Sequence, residues 1–504
     1  MKMQKLYKFI LMLLTIIFLF CSLSVSVMAY NNDDYSGKSY TYDDNAKSVS
    51  VPNSYEYSET YLLTDDAGFE AKNASDMFVS EKHYIYVADT ENSRILIYDN
   101  NFKFINSISK IVDNNGNESY LNQPQGIYVY PDETLLIADT ANNRIVKCNQ
   151  NGNASLIIEK IEGMTGVEET TNFNPLKLSV DSVGRIYVVA KDINYGFVQL
   201  DADGEFLGYV GAPRVQTDFF TLFWRKISTK KQLAQMTQFV STEYNNICID
   251  ENDFIYGTIS SLSTEAIKSA INSRDLSGTV SPIKKLNSLG NDILVRNGQY
   301  APLGDLDFEK NPSRIVDVAL GTGGIYSMLD QTNGHIFTYD SQGNLLYAFG
   351  GKGYQKSNVQ HPVAITYIKD DILVLDSSMN AILQFTPTDY GRLVLAAVSA
   401  TYDGNYEEAY KLWSDIADKN SNFKYAFEGL GNTKLNEGDY KDAMSCFKYA
   451  DNENGYSEAF AVLRKQYIQK VFPTVFVLVS VVIGIVLLYM IIRKVYRYGK
   501  GYYD

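Results

Sequence analysis

The sequence predicts an all-β six-bladed propeller, followed by a small α-helical hairpin region and one transmembrane helix. Three features of the chain lead to this prediction. A polar turn motif recurs after short apolar strands, a period of 34 residues appears towards the C-terminus, and an almost uninterrupted aliphatic run lies close to the end. Together they divide the chain into a β-rich part, a helical part and a membrane segment.

The turn motif is Asp-Thr-Glu-Asn-Ser-Arg-Ile at residues 89–95, and it returns as Asp-Thr-Ala-Asn-Asn-Arg-Ile at residues 139–145. Each copy follows one apolar strand and leads into another, which indicates a hairpin with a polar turn. Weaker copies begin at Asp330 and Asp376. A repeated unit of about 40–50 residues built from short strands is typical of a propeller blade, because one small sheet cannot bury both faces without neighbours. Two less regular units bring the predicted count to six blades, over residues 68–398.

These repeats resemble those of NHL-repeat β-propellers, whose blades carry an Asp-x-x-Asn-x-Arg-Ile sequence after the second strand. Two copies match this pattern well. We expect the Asp and Arg of each copy to form a charge-assisted contact that holds the hairpin to its neighbour, because residues repeated in every blade cannot all lie in one binding site. The residues assigned to this structural motif are Asp89, Arg94, Asp139, Arg144, Asp330 and Asp376.

The N-terminus has the features of an export signal. Three lysines precede a short apolar stretch, and small residues end at Ala29 with the spacing that a signal peptidase recognises. Residues 1–29 are therefore predicted to be a signal peptide, with an uncleaved anchor as the alternative. Residues 30–67 are predicted to be an N-terminal arm, in which the alternating segment Tyr55-Glu56-Tyr57 adds a strand that closes the ring.

The aliphatic run near the C-terminus is long enough to cross a bilayer when residues 472–492 are taken together. Arg493, Lys494, Arg497 and Lys500 follow at once, so the tail at residues 493–504 is predicted to be cytoplasmic. With an export signal in front, this pattern predicts a single-pass type I protein in the cell membrane, with an extracellular ectodomain.

Between the predicted propeller and the membrane segment, residues 399–471 change to a helical period. Gly404, Tyr406, Ala409 and Trp413 are followed 34 positions later by Gly438, Tyr440, Ala443 and Phe447. This spacing and these residue types resemble tetratricopeptide repeats, over residues 388–454. Two such repeats make a shallow surface, so a spacer is expected in preference to a peptide-binding superhelix.

One segment, residues 212–239, differs in chemistry from the rest of the predicted ectodomain, because it is basic and rich in aromatic residues. It is predicted to be an insertion between two blades, which either plugs the propeller funnel or contacts a partner. The residues proposed for partner contact are Phe223, Trp224, Arg225 and Lys226.

The composition argues against several classes of function. The formal net charge is −14, and an acidic ectodomain does not suit nucleic acid as a partner. Four cysteines, one of them in the signal segment, indicate neither a disulfide framework nor a metal cluster. Only three histidines occur, without metal-ligand spacing, and His335 takes the place of the Arg in its blade motif. No catalytic residue, metal or cofactor is therefore predicted.

The whole arrangement resembles one family of exported Gram-positive propeller and tetratricopeptide membrane proteins, which tend to be encoded near sugar-type ABC transporters. The resemblance rests on the blade motifs, on the basic aromatic insertion and on the C-terminal repeats, and it spans residues 39–465. It implies a membrane-anchored binding or adaptor protein, accessory to a membrane complex such as a transporter or binding a surface polymer or solute. Two alternatives stay open: a propeller-type lactonase-like hydrolase or lyase, and a structural component of the cell envelope.

Overall fold

The computed structural model describes residues 38–164, 173–211, 243–307, 311–499 and 501 of the chain. Within these residues, six small antiparallel sheets form the blades of a β-propeller, and five helices follow. The predicted fold class is confirmed: six blades, then a helical region, then one long apolar helix.

The N-terminal segment contributes three strands before the first blade begins. β1 (Tyr40–Tyr42) and β2 (Ser48–Ser50) form a hairpin, and β3 (Tyr55–Leu62) follows. β1 and β3 pair with strands at the other end of the propeller, and β2 pairs with β1.

Blades 1 to 3 each have four strands that follow one another along the chain. The strands of blade 1 are β4 (Asp76–Val79), β5 (Ile85–Asp89), β6 (Arg94–Tyr98) and β7 (Phe104–Ile108). A hairpin of β8 (Lys110–Val112) and β9 (Glu118–Tyr120) leads to the next blade. The strands of blade 2 are β10 (Gly126–Val129), β11 (Leu135–Asp139), β12 (Arg144–Cys148) and β13 (Ala154–Ile158). The strands of blade 3 are β14 (Pro175–Val180), β15 (Ile186–Ala190), β16 (Phe197–Leu200) and β17 (Phe206–Val210).

Blades 4 to 6 are less regular in strand number. Blade 4 contains β18 (Asn246–Ile249), β19 (Ile255–Thr258) and β20 (Ile283–Leu286), with the helix α1 (Thr264–Ser273) inserted before its third strand. The strands of blade 5 are β21 (Ile315–Leu320), β22 (Tyr326–Asp330), β23 (His335–Tyr339) and β24 (Leu345–Gly350). Blade 6 contains β25 (Pro362–Ile368), β26 (Asp371–Asp376) and β27 (Ala381–Pro387).

The helix α1 is an addition that the sequence analysis did not predict. The Ser263 hydroxyl accepts a hydrogen bond from the Ala266 amide and caps the helix, and Ile267, Ala270 and Ile271 face the protein. The signal was present as a capping serine before apolar residues at helical spacing, but the helix is short and lies between two strands.

The ring is closed by the N-terminal segment. β3 pairs antiparallel with β27 and supplies the outer strand of blade 6, with Tyr55 opposite Pro387 and Leu62 opposite Ala381. Tyr55 is fully buried and stacks on Phe349, with 5.0 Å between the ring centroids. The hairpin β1–β2 extends blade 5 through the pairing of β1 with β24. The closing strand lies where the sequence analysis expects one.

The hydrophobic core lies between the blades. Every residue of the second strands β5, β11 and β15 is buried, because both faces of each sheet are covered by the neighbouring sheets. One cluster, for example, combines Ile95 and Ile97 of blade 1 with Leu135 and Ile137 of blade 2. Burying each such side chain contributes roughly 1.5–3 kcal/mol, so each blade is stabilised mainly by its neighbours.

The order of the strands gives the propeller two different faces. The upper face is the face at which the first strand of each blade begins. The segments between blades and the turns between second and third strands lie at this face. We call lower the opposite face, with the turns between first and second strands and between third and fourth strands. In antiparallel blades these positions follow from the topology alone.

The C-terminal helices pack on the lower face at blades 5 and 6. Thr388 follows blade 6 directly, and its hydroxyl accepts a hydrogen bond from the Gly391 amide and caps the first helix. The helical region therefore begins within residues 388–398, which the sequence analysis had included in the propeller. The helices are α2 (Asp389–Tyr402), α3 (Tyr406–Lys419), α4 (Lys424–Glu437), α5 (Tyr440–Tyr449) and α6 (Glu453–Gly499).

Small residues allow these helices to approach closely. Trp413 of α3 and Phe447 of α5 are fully buried, and they lie against Gly429 and Gly431 of α4. A Cβ atom at Gly429 would lie 2.7 Å from the Trp413 ring, so a larger residue would push the helices apart. Among the residues that define the 34-residue period, Ala409, Trp413, Ala443 and Phe447 are fully buried at the contacts between the helices, whereas Tyr406 is exposed.

The last helix, α6, has 47 residues and changes character along its length. Its first turns pack on α5, and Ala459 is buried there. Its later part is a candidate membrane span: an 18-residue window has a mean hydropathy of 3.2, and none of that window is buried within the protein. A surface of this kind matches the hydrocarbon of a bilayer and not water.

Candidate functional site

The repeated Asp and Arg residues lie together at the upper face. The Arg94 Nε atom lies 2.6 Å from an Asp89 carboxylate oxygen, and the Arg144 Nε atom lies 2.7 Å from one of Asp139. Both carboxylates are fully buried. Each pair joins the end of a second strand to the start of the third across the turn between them.

The same carboxylates also hold the segment that enters the blade. Asp89 accepts a hydrogen bond from the Lys72 amide, and Asp139 accepts one from the Asn122 amide, both at 2.7 Å. These amides belong to the chain that arrives from the preceding blade. The motif therefore fastens one blade to the next through hydrogen bonds inside the fold.

Asp330 and Asp376 occupy the same turn position without an Arg. Asp330 accepts from the Arg314 amide at 2.9 Å, and Asp376 accepts from the His361 amide at 2.9 Å, so both hold the incoming segment. In blade 6 the amides of the turn replace the Arg. In blade 5 the Arg position is His335, which the sequence analysis noted.

A second group of residues, four of them polar, lies at the propeller axis, and the sequence analysis did not identify it. In each blade, one residue of the first strand pairs with a residue of the second strand at the axis. That second-strand residue comes just before the position that Asp89 occupies in blade 1. We call the six first-strand residues the axial ring. They are Asp76, Gly126, Lys177, Asn246, Asp317 and Ala364.

One half of the axial ring is an ion pair between blades 1 and 3. The Lys177 ammonium lies 2.6 Å from the Asp76 carboxylate and donates to the Ser75 carbonyl at 2.7 Å. The other Asp76 oxygen accepts from the Ile127 amide in blade 2. Gly126 is small by necessity, because a Cβ atom there would lie 2.6 Å from the Leu176 carbonyl oxygen. Three blades are thus joined around one buried carboxylate.

The other half of the axial ring is centred on Asp317 in blade 5. Its oxygens accept from the Asn246 side chain at 2.6 Å and from the Ile365 amide at 2.7 Å, which join it to blades 4 and 6. Burial raises the pKa of Asp317 to about 7, against the opposing effect of the Lys177 ammonium. Both carboxylates of the ring therefore act as contacts between blades.

The axial ring limits what chemistry the funnel can support. A metal-dependent lactonase would need Glu, Asn and Asp side chains converging on the axis. Asp76, Asn246 and Asp317 do converge, but the Lys177 ammonium already neutralises Asp76. The ring therefore consists of one ion pair and one carboxylate held by neutral donors, and it is not an open cage of carboxylates.

The upper face also carries the exposed aromatic side chains of the propeller. Among the described propeller residues, four aromatic side chains are strongly exposed, and all four lie in upper segments or turns. Exposed aliphatic residues occur on both faces: Val183 and Leu289 lie in lower turns, and Leu276 lies in the upper connection of blade 4. Ile105 and Leu207 lie on outer strands. The exposed aromatic residues are Phe69 at 69%, Tyr120 at 64%, Tyr195 at 45% and Tyr354 at 94%.

The partner-contact residues predicted from the sequence, Phe223, Trp224, Arg225 and Lys226, lie outside the described residues. The described residues on either side are Gly211, after β17, and Glu243, before β18. This connection joins the outer strand of blade 3 to the inner strand of blade 4, so both of its ends lie at the upper face.

Comparisons with known proteins identify no family for this chain. No protein-family model matches the chain, and no curated protein matches it. Solved structures do match. Virginiamycin B lyase from Staphylococcus aureus is 12% identical, with 65% of this chain and 98% of that one covered and a TM-score of 0.38. The Malassezia sympodialis allergen Mala s 1 is 10% identical, with 65% and 96% covered and a TM-score of 0.40.

A third similar structure is a protein of unknown function from Bacteroides thetaiotaomicron. It is 8% identical, with 68% of this chain and 80% of that one covered, and the TM-score is 0.40. At these identities and scores the similarities assign this chain no family, ligand or reaction.

Proposed function

We propose that the chain is a membrane-anchored extracellular binding protein, whose upper propeller face recognises a partner in a membrane complex such as a transporter, or a surface polymer or solute. In this proposal residues 1–29 direct export, residues 472–492 cross the bilayer once in type I orientation, and residues 493–504 stay inside. The blades are taken as NHL repeats and the helical pairs as tetratricopeptide repeats.

The distribution of aromatic residues is the observation that carries the proposal. Isolated aliphatic residues on a surface are normal, but aromatic residues are enriched where proteins bind partners. Here the exposed aromatic residues of the described propeller lie on the upper face, while α2 begins a helical region that covers part of the lower face. This separation favours an upper face for recognition and a lower face for attachment.

The attachment side is supported by α6. This helix continues from the helical pairs on the lower face into a stretch that is apolar enough to cross a membrane. A propeller attached in this way would present its upper face away from its own anchor.

The proposal can be tested by site-specific photo-crosslinking of the full-length chain in native membranes. A photoreactive phenylalanine analogue at Tyr354 or Tyr120 should yield a discrete crosslinked product. The matched positions Val183 and Leu289 are 68% and 73% exposed on the lower face and should yield none. Equal products from both faces, or products from the lower face alone, would exclude the upper face as the recognition surface.

The orientation can be tested separately with cysteine probes. In a chain without its native cysteines, a probe at Ser341 should react with an impermeant reagent from outside, and a probe at Tyr503 should not. Reaction of both probes from outside would contradict the type I orientation.

The basic aromatic insertion is part of the proposed surface. Replacing Trp224 by Ala, together with Arg225 and Lys226 by Ser, should weaken partner association by roughly 2 kcal/mol or more, since Trp and Arg often anchor interfaces. The melting temperature should stay unchanged. A lower melting temperature with intact association would instead indicate that the segment plugs the funnel.

The lactonase-like hydrolase or lyase is kept as a second candidate because of the axial ring. Its supporting observation is Asp317, which meets Asn246 at the axis beside the Asp76–Lys177 ion pair. Turnover of lactones by the full-length chain, lost in Asp317→Asn, would favour this candidate. Partner crosslinking without any turnover would favour the binding protein.

A further inference from the structure

The upper turn of blade 5 brings together three buried side chains, and one of them, His335, takes the place of the Arg found in blades 1 and 2. Asp305 comes from the connection between blades 4 and 5, Asp330 ends β22, and His335 begins β23. One ligand atom from each side chain lies within 4.8 Å of the others, and all three residues are buried. We call these residues the blade 5 triad.

Blade 1 shows what the blade 5 triad replaces. There Arg94 lies between two carboxylates, 2.6 Å from Asp89 and 2.6 Å from Asp65. In blade 5 two carboxylates again meet at the same turn, but the nitrogen between them belongs to an imidazole. A guanidinium has no lone pair to offer a metal, whereas a neutral imidazole is a common metal ligand.

The carboxylates of the blade 5 triad are held in place by their surroundings. Asp330 accepts through one oxygen from the Arg314 and Thr332 amides, and through the other from the Ser313 hydroxyl at 2.7 Å. Asp305 accepts from the Tyr42 hydroxyl at 2.5 Å. Hydrogen bonds of this kind fix the orientation of metal-binding carboxylates in known sites.

The imidazole is positioned for the same purpose. His335 Nδ1 lies 2.9 Å from an Asp305 oxygen and 3.1 Å from the Tyr40 hydroxyl. Separations near 3 Å are those expected between neighbouring ligand atoms that share one ion at about 2.0–2.2 Å. The hydroxyl of Tyr40 or Tyr42, or water, would complete the coordination.

We propose that Asp305, Asp330 and His335 bind one divalent transition-metal ion, Zn²⁺ or Mn²⁺. Two carboxylates with one imidazole suit these ions, whereas Ca²⁺ and Mg²⁺ prefer oxygen ligands alone. Binding uses the lone pair of Nδ1, so the single proton of the neutral imidazole lies on Nε2 when the ion is bound. The ion fastens the N-terminal hairpin to blade 5, because Tyr40 contacts His335 and Tyr42 contacts Asp305. This site is independent of whatever the upper face recognises.

The test uses the full-length chain in detergent, stripped of metal with a chelator. Titration with Zn²⁺ or Mn²⁺ should show one saturable site per chain and a rise in melting temperature that the chelator reverses. Ca²⁺ and Mg²⁺ at the same concentrations should have little effect. Asp305→Asn and His335→Ala should each weaken binding by about 100-fold or more, since each removes a ligand.

Two further variants make the result decisive. His335→Arg recreates the arrangement of blade 1, so it should fold normally and lose the metal response even if His335→Ala does not fold. Asp292→Asn removes a carboxylate of blade 4 that pairs with Arg296, and it should bind the ion like the unchanged chain.

Three outcomes would overturn the proposal. One is the absence of a saturable site in the unchanged chain. Another is equal binding by His335→Arg, which would place the ion elsewhere. The third is a melting temperature of the unchanged chain that does not respond to metal, which would leave the imidazole as a structural substitute for Arg.

Discussion

The two faces of the propeller are built from the same repeating strands, yet their side chains serve different purposes. On the lower face Gly323, with φ of +65°, lies against Ser399 of α2, and Tyr425 of α4 donates a hydrogen bond to the buried Asp340. On the upper face the turns hold buried charge pairs and exposed aromatic residues. The strands define the fold. The side chains in the turns determine that the lower face packs against the helices and that the upper face stays exposed.

The largest expected effect comes from breaking the helical packing on the lower side. Trp413→Ala should lower the free energy of unfolding of the helical region by about 3–5 kcal/mol, because it leaves a cavity beside Gly429. Limited proteolysis between α2 and α5 and chemical denaturation would measure it. Tyr406→Ala, at a position that is 42% exposed, is the control and should cost little. Equal sensitivity of both variants would contradict the packing described.

A smaller effect is expected from the upper turn of blade 2. Arg144→Ala leaves the fully buried Asp139 without its counter-charge, and it should destabilise the propeller by roughly 1–3 kcal/mol. Partner crosslinking by the folded fraction should be unchanged. Arg392→Ala removes an exposed pair with Asp389 and should change stability by less than about 0.5 kcal/mol. Lost crosslinking with unaltered unfolding would show that the motif is part of the binding surface.

The stability of the contact between α4 and the lower face should depend on pH. Burial and the nearby Asp340 raise the pKa of Glu428 to about 7, from an ordinary value of 4.5. Between these pH values the unfolded chain releases a proton that the folded chain keeps, so the free energy of unfolding falls as pH rises. A fall of roughly 1–2 kcal/mol is expected, complete above about pH 7.

Glu428→Gln should flatten this pH profile, and Glu437→Gln, on the exposed end of α4, should leave it as it is. Denaturation midpoints from pH 4 to pH 8 would provide the measurement. A profile that keeps its slope in Glu428→Gln would assign the fall to another group, with buried Asp317 the first to consider.

The smallest effect on stability is expected at the upper aromatic residues. Tyr354→Ala and Phe69→Ala should change the free energy of unfolding by less than about 0.5 kcal/mol, because both side chains are mostly exposed. The same changes should weaken partner association. An effect on association without an effect on stability would distinguish recognition from packing, which changes in the buried strands cannot do. Destabilisation without a change in association would count against the upper face as a recognition surface.

The strands and the blade count were predictable because each motif copy lies between apolar strands, as at Asp89 and Asp139. The axial ring was not, because Asp76, Lys177 and Asp317 share no local pattern and meet only when blades far apart in sequence close into a ring. The blade 5 triad was predictable only in part. His335 could be recognised as a substitution for Arg, but Asp305 reaches it through a connection without any repeat pattern.

The closing strand β3 has a consequence for how the propeller forms and bears load. Its partner β27 lies at the opposite end of the propeller sequence. β3 is therefore synthesised early but can pair with β27 only after all the other propeller strands have been made. Until then both edges of the incomplete ring can pair wrongly. Once the ring is closed, β27 leads directly into α2, the first of the helices that precede the candidate membrane span in α6. Tension applied through α6 would then act along the β3–β27 ladder in shear, across all of its backbone hydrogen bonds at once.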